Sequence, residues 1–467
     1  MTIRRSLLVI CLVAGLHALF FIWYQQPDWG TQWTDQNGYR RLGEVLATTG
    51  TLTRYPDSPT FVPEVIRTPG YPLFVAFIYR IFGVRQLPVA LAQAGMFVAI
   101  CLLVFATARM IAPPGTALAA GAVTALFPPI PYFGALVLTE VWATFLFTAG
   151  TWAVVRAVHD RRIAPFALAG FLFGATALTR PVFFLFPIAL AMAGTILLPL
   201  VHVKARPALS HWVVLLVAAC LTLLPWFTYN YVTLGRFTMS PAGGIGRGLW
   251  EGSWQAVWPG RLQNELTQLA DTAPDRQTLD ARVTERARWE RLDVRPMLEY
   301  VHQWSDIRRI WVEPTDPQER ADARVAADAE YLRVGLDNLR QQSLPHLAKR
   351  VARSVFILWA GEIPFRYSSI NDLRPLVIRG CWALQAVLIA AALYGLYVLA
   401  RTGRLLDALV LGAPILYVTA AHLPLLTEAR QSLPVKPLVL ALATVGACNS
   451  WHRLLARKPQ VHERQHL

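Results

Sequence analysis

Apolar stretches of about twenty residues recur along most of the chain, the length an α-helix needs to cross the roughly 30 Å hydrocarbon core of a membrane. The rest of the composition agrees. Hydrophobic residues make up 55%, charged residues only 16%, and the mean hydropathy is +0.39. Soluble domains carry roughly 25% charged residues, so the expected fold class is an all-α polytopic membrane protein. The formal net charge of +15 is not a nucleic-acid footprint. The basic residues sit at the ends of apolar runs, as topology signals do. All five cysteines (Cys11, Cys101, Cys220, Cys381 and Cys448) lie inside apolar spans, which leaves no disulfide framework or CxxC-type zinc site in the polar segments.

The apolar runs predict about ten transmembrane helices, near residues 6–24, 87–111, 116–133, 138–158, 165–178, 182–201, 212–232, 375–400, 405–423 and 433–450. The first reads as an uncleaved span preceded by Arg4 and Arg5. Pro128, Pro129 and Pro131 should break the third near its outer end. Placing the basic clusters at 4–5, 156–162 and 204–206 inside gives a consistent alternation, with both termini cytoplasmic. Three domains follow. Residues 1–232 form an N-terminal transmembrane module with a first outer loop at 25–86. Residues 233–374 form an extracytoplasmic helical domain with an interfacial helix, and 375–467 hold the C-terminal spans and basic tail. In the polar domain Thr315-Asp316-Pro317 reads as a helix cap, with Val325, Leu332, Leu336 and Leu339 on one face of the helix it opens. His346 to Phe365 is amphipathic and is expected in the outer interface. No internal repeat is visible, which argues against a transporter built from duplicated halves.

The most informative stretch is 34–83, polar and wedged between apolar spans. Asp35 opens a helical pattern that Gly50 stops, and a proline-rich run ends in Arg67-Thr68-Pro69-Gly70-Tyr71-Pro72. Asp35 reads either as a chemical group or as a plain N-cap. Arg67 suits phosphate, whose oxygens its planar fork matches, or anchors the loop at lipid headgroups. Glu140 and Arg180, at the edges of spans, line a common cavity or pair with each other. Arg236 and Arg247 flank the run Gly243-Gly244-Ile245-Gly246, followed by Trp250 and Trp254. That run lacks the Lys-Ser/Thr of a P-loop and reads as a sugar-stacking region or a flexible turn.

In chain order these motifs are Asp35 with Tyr39, the R-x-P-G-Y-P-L-F stretch, Thr139-Glu140, Leu178-Thr179-Arg180-Pro181, Pro225-Trp226 and Glu428-Ala429-Arg430. The series resembles the polytopic glycosyltransferases of the GT-C class, in particular bacterial relatives of the protein O-mannosyltransferase and lipid A aminoarabinose transferase group. The resemblance implies an inner-membrane enzyme with its active site on the periplasmic face. Its donor would be a polyprenyl-phosphate-linked sugar and its acceptor a lipid or glycan. Asp35 would then be the general base, Arg67 and Arg430 would grip the leaving phosphate, and Tyr71, Glu140, Arg180, Arg236, Arg247 and Trp250 would contact substrate. Where many relatives carry two adjacent acids, this chain has Asp35-Gln36. A lone loop carboxylate is a poor Mg²⁺ or Mn²⁺ site, so neither a metal nor another cofactor is expected. The alternatives are a transporter or flippase of a lipid-linked substrate and a non-catalytic assembly subunit.

Overall fold

The computed structural model describes residues 3–29, 34–197, 207–366 and 373–456, and among them the chain forms helices and no strands. The basic cluster expected at 204–206 and the tail from 457 lie outside the described residues. Among the described residues seven helices are long and apolar enough to cross a membrane: Ile3–Gln25, Gln86–Ile111, Thr139–Asp160, Leu209–Leu234, Pro375–Arg401, Leu405–His422 and Ala429–Trp451. The other three expected spans are helical at their predicted places but interrupted, and residues 198–201 of the span expected at 182–201 lie outside the described residues. Proline breaks one into Pro114–Ala125 and Pro129–Gly134, where each ring removes a backbone donor. The other two, Ala164–Thr179 and Pro181–Ile196, meet at the corner made by Arg180 and Pro181. The chain is therefore a multi-pass membrane protein in which several apolar segments are cut into short pieces.

Those pieces frame the polar loop. Thr34–Thr49 is helical and ends at Gly50, whose φ of 74° is the left-handed value a side chain resists. It packs on Gly70–Phe82, a helix too short to cross, through Tyr39 against Tyr71 and Gly43 against Val75, and buries Leu42 beside Leu52 and Ala177. Gly70 lies where a Cβ would come within 2.7 Å of the Leu178 carbonyl, so glycine lets this helix meet the end of Ala164–Thr179. That contact brings the Arg67 loop beside the Arg180 corner.

Five helices form the polar domain: Ile245–Trp254, Gly260–Thr272, Arg276–Glu290, Val294–Val312 and Pro317–Gln341. Asp316 caps the last of them through the N–H groups of Gln318 and Glu319 at 2.8 and 3.0 Å, with Pro317 at the first helical position. Of the four apolar residues read on one face, Leu332 and Leu336 are exposed and Val325 and Leu339 half-buried, while the helix turns Ala327, Tyr331 and Gly335 inward. The cause is close helix packing: a Cβ on Gly335 would lie 2.8 Å from the Trp250 nitrogen. The amphipathic helix Leu344–Ala360 follows and leads back to the membrane part.

Candidate active site

Asp35 sits in the first turn of Thr34–Thr49, but its carboxylate does not cap that helix. One oxygen accepts from Arg67 Nη2 at 3.0 Å and the other from Arg430 Nη2 at 3.3 Å. Arg430 also donates to Glu428 at 2.7 Å through Nε and to Glu140 at 3.4 Å through Nη1. Arg180 Nη2 stands 3.9 Å from the same Glu140 oxygen. Five candidate charges from five separate segments thus meet in one network. Their environments differ: the Asp35 side chain is 45% exposed and that of Glu140 only 2%. Asp35 can be reached from outside; Glu140 is held beneath it.

Each member has a local reason for its place. Glu140 lies in the first turn of Thr139–Asp160, where the helix dipole favours an anion. Arg180 is the extended residue that ends Ala164–Thr179 before a proline. Glu428 and Gln431 form a capping box around the turn bearing Arg430. Arg67 lies over the Tyr39 ring at 4.6 Å, and its backbone N–H donates to Glu64 at 2.9 Å. Glu64 is buried, accepts from Ile66 N–H at 2.8 Å and is gripped by Arg54. Nothing in the Val-Pro-Glu-Val-Ile run marked this carboxylate in advance. Only its place in the loop shows that it fixes the backbone under Arg67.

Gln36, where an adjacent second acid would stand, points elsewhere. It is fully buried, and its Oε1 accepts from Gln86 at 2.9 Å and from Val137 N–H at 3.0 Å. It pins the loop to the segment leading into Glu140. Two other carboxylates, Glu140 and Glu428, are joined to Asp35 through Arg430 instead. Among the described residues no group of three His, Cys, Asp or Glu is placed to hold a metal ion.

Burial raises the Asp35 pKa, but the charges of Arg430 and Arg67 outweigh it, and the carboxyl titrates below its ordinary value. It is an anion at neutral pH. Beside it opens a cavity of about 490 Å³, lined by Asp35, Glu428 and Arg430 on one wall and by Arg247, Trp311 and Tyr331 on another. A separate, apolar groove of about 390 Å³ runs past Leu46, Pro69, Leu73, Leu178, Pro225 and Trp226.

Four candidates stand apart from the charge network, and one of them, Arg247, lines the cavity and pairs with Glu251. Tyr71 is fully buried, with its hydroxyl within 3.1 Å of Gln93 Oε1 and its ring against Tyr39 at 5.2 Å, so it supports the platform under Arg67. Arg236 is exposed beyond the Leu209–Leu234 helix and does not line the cavity. Trp250 is 0% exposed, stacked on Tyr300 at 5.0 Å, with its N–H donated to Gln303 at 2.7 Å. In the glycine run Gly243 and Gly244 line the cavity beside Arg247. Gly246 packs on the Asp328 backbone and Gly252 on Leu425, so Ile245–Trp254 is clasped between the polar domain and the Arg430 loop. Trp250→Ala should accordingly cost about 3–5 kcal/mol of domain stability, read as a lower melting temperature and faster proteolysis, while Trp250→Phe should cost far less. Unchanged melting with only a weaker substrate affinity would return Trp250 to the sugar-contacting role.

These elements define a class of fold, that of the GT-C glycosyltransferases, and the comparisons agree. Residues 66–229 match the family described as dolichyl-phosphate-mannose-protein mannosyltransferase, a stretch that begins just before Arg67 and includes Glu140 and Arg180. The fold is similar to the oligosaccharyltransferase AglB from Archaeoglobus fulgidus, solved with an inhibitory peptide and a dolichol-phosphate (TM-score 0.53, 15% identity, 99% of this chain and 53% of the other). The apo form of the Archaeoglobus fulgidus enzyme gives a TM-score of 0.53 at 15% identity over 96% of this chain and 51% of the other. ArnT from Cupriavidus metallidurans bound to undecaprenyl phosphate matches less well, with a TM-score of 0.41 at 14% identity over 96% of this chain and 79% of the other. The chain spans about half the length of the oligosaccharyltransferase it matches. No curated protein is significantly similar to it in sequence.

Proposed function

We propose that this protein is a bacterial inner-membrane glycosyltransferase that moves a sugar from a polyprenyl-phosphate carrier to an acceptor on the periplasmic side. The observation that carries the proposal is the convergence of Asp35, Arg67, Glu140, Arg180 and Arg430 in one charge network, of which Asp35 and Arg430 line the cavity. Displacement at an anomeric carbon needs a base for the acceptor hydroxyl and cations for the charge that grows on the departing phosphate. Asp35 is the accessible base. Arg67 and Arg430 reach it from two directions, so a phosphate bound by both would lie next to the carboxylate. The acceptor O–H gives its proton to Asp35, the new C–O bond forms, and the phosphate leaves with the electron pair of the old one.

The apolar groove beside Pro69 supports a lipid carrier, because prenyl carbons would bury against it while the headgroup reaches Arg67. The dolichol-phosphate bound by the archaeal enzyme of the same fold supports the same donor class. Of the three domains, the two transmembrane modules hold the donor and the polar domain roofs the cavity.

The test is transfer from a radiolabelled polyprenyl-phosphate sugar mixture by the full chain in lipid nanodiscs, with and without chelator. Label should move to an acceptor extracted from the envelope, and chelation should not stop it. Passage of intact donor across the bilayer without chemistry would instead establish a flippase. Loss of transfer on chelation, restored by a divalent ion, would overturn the metal-free step.

A further inference from the structure

Another wall of the 490 Å³ cavity comes from the polar helices, through Trp311, Arg324, Asp328 and Tyr331. Most charges around the cavity are already matched. Arg247 pairs with Glu251 at 2.9 Å, and Asp328 accepts from the N–H groups of Gly246 and Arg247 at 3.4 and 3.2 Å. Arg430 holds Asp35 and Glu428. Arg324 differs: no carboxylate lies within ion-pairing distance of it among the described residues, and its Nε is buried without an acceptor. Its guanidinium rests on the Trp311 ring, 4.4 Å from the centroid. Burial and then the like charge of Arg54 press its pKa down, against smaller opposing effects of Tyr55 and Glu64.

A guanidinium fixed on an aromatic face, partly desolvated and short of an acceptor, is costly in the free protein. Its planar fork is matched by the oxygens of a phosphate or carboxylate. The position separates it from the donor side. Arg67 and Arg430 belong to the membrane part and touch Asp35, whereas Arg324 projects from Pro317–Gln341 in the polar domain. A cavity of this size takes a sugar-sized ligand between the two.

We propose that Arg324, seated on Trp311 in the cavity wall, receives an anionic group of the acceptor. The acceptor is thereby an acidic saccharide, free or as a glycolipid headgroup, bearing a phosphate or carboxylate near the hydroxyl presented to Asp35. This rests on the glycosyl-transfer reading but is tested by binding alone. The full-length protein in nanodiscs is titrated with glucose 1-phosphate, glucuronate and glucose, and separately with dolichyl phosphate. Both acidic sugars should bind at least about ten-fold more tightly than glucose, and the tighter of the two identifies the group. Arg324→Gln should reduce them to the level of glucose while dolichyl phosphate binds as in the wild type. Arg324→Lys, which keeps the charge, should recover part of the loss.

Equal binding of glucose and the acidic sugars by the wild type would overturn the proposal. So would acidic-sugar binding that Arg324→Gln leaves intact. Loss of dolichyl phosphate binding in Arg324→Gln would reassign the residue to the donor. Arg324-dependent binding of acidic sugars by a protein inactive in transfer would leave this site standing and sink the catalytic reading instead.

Discussion

Asp35→Asn is expected to lower the transfer rate by about 10²–10⁴-fold, the range a positioned general base contributes, with donor affinity little changed. The substitution keeps the shape of the side chain and an oxygen able to accept from Arg67, so the loop need not move. What it removes is the negative charge, and with it the basicity that takes the acceptor's proton. Binding of dolichyl phosphate by the same variant separates this from loss of fold. Transfer at the wild-type rate would mean that Asp35 is only an ion-pair partner and would shift the base to Glu140.

The pH dependence carries the sign of the argument. In the free enzyme the two arginines outweigh burial and hold Asp35 below the ordinary carboxylate range. The acid limb of kcat/KM, which reports the free enzyme, should therefore lie below about pH 4. A donor phosphate bound to Arg67 and Arg430 offsets their charge, which lets the Asp35 pKa rise and makes it a better base in the complex. The acid limb of kcat should consequently lie at higher pH than that of kcat/KM, and Asp35→Asn should abolish both limbs. The stability linked to Asp35 has the same direction. Because the folded pKa is lowered, that contribution is complete above the unfolded value and is lost as pH falls through the folded one. With a side chain nearly half exposed, the contribution is small.

Much of this site could be read before the fold was known, because charge at the edge of an apolar span is conspicuous. Asp35, Arg67, Glu140, Arg180 and Arg430 are all of that kind. That they touch could not be read, since Asp35 meets Arg430 across 395 positions and periodicity carries no information on such contacts. The spans were legible where twenty apolar residues run unbroken, and less so at Pro114–Ala125 and Ala164–Thr179, which stop short. Aromatic residues misled. Trp250 beside glycines looks the same in sequence whether it faces a sugar or a core, and here the glycines serve close helix packing. Leu332 and Leu336 marked the helix but not its packed side: Gly335 is the contact, and a residue with no side chain gives no hydrophobic signal. Arg324 and Glu64 left no trace, because their meaning comes from what they lack or hold in three dimensions.

Arg430→Ala should have the largest combined effect. Its guanidinium links Asp35, Glu140 and Glu428, and its side chain is only 17% exposed. Without it, Glu140 is left at 2% exposure with Arg180 at 3.9 Å as its remaining ion-pair partner and an Oε2 that already has no hydrogen bond. Removing one member of a buried ion pair costs about 3–5 kcal/mol because the charge left behind stays desolvated. The melting temperature in nanodiscs should fall by several degrees, and transfer should fall with it through the lost phosphate contact. Arg430→Ala combined with Glu140→Gln separates the two effects. The neutral amide no longer needs a cation, so the double variant should regain most of the thermal stability. It should not regain transfer, because nothing replaces the second cation at the phosphate. An Arg430→Ala protein as stable as the wild type would show that Glu140 is neutral or solvated where it stands. A double variant that recovers activity as well would remove Arg430 from the chemistry and leave Arg67 alone on the leaving group.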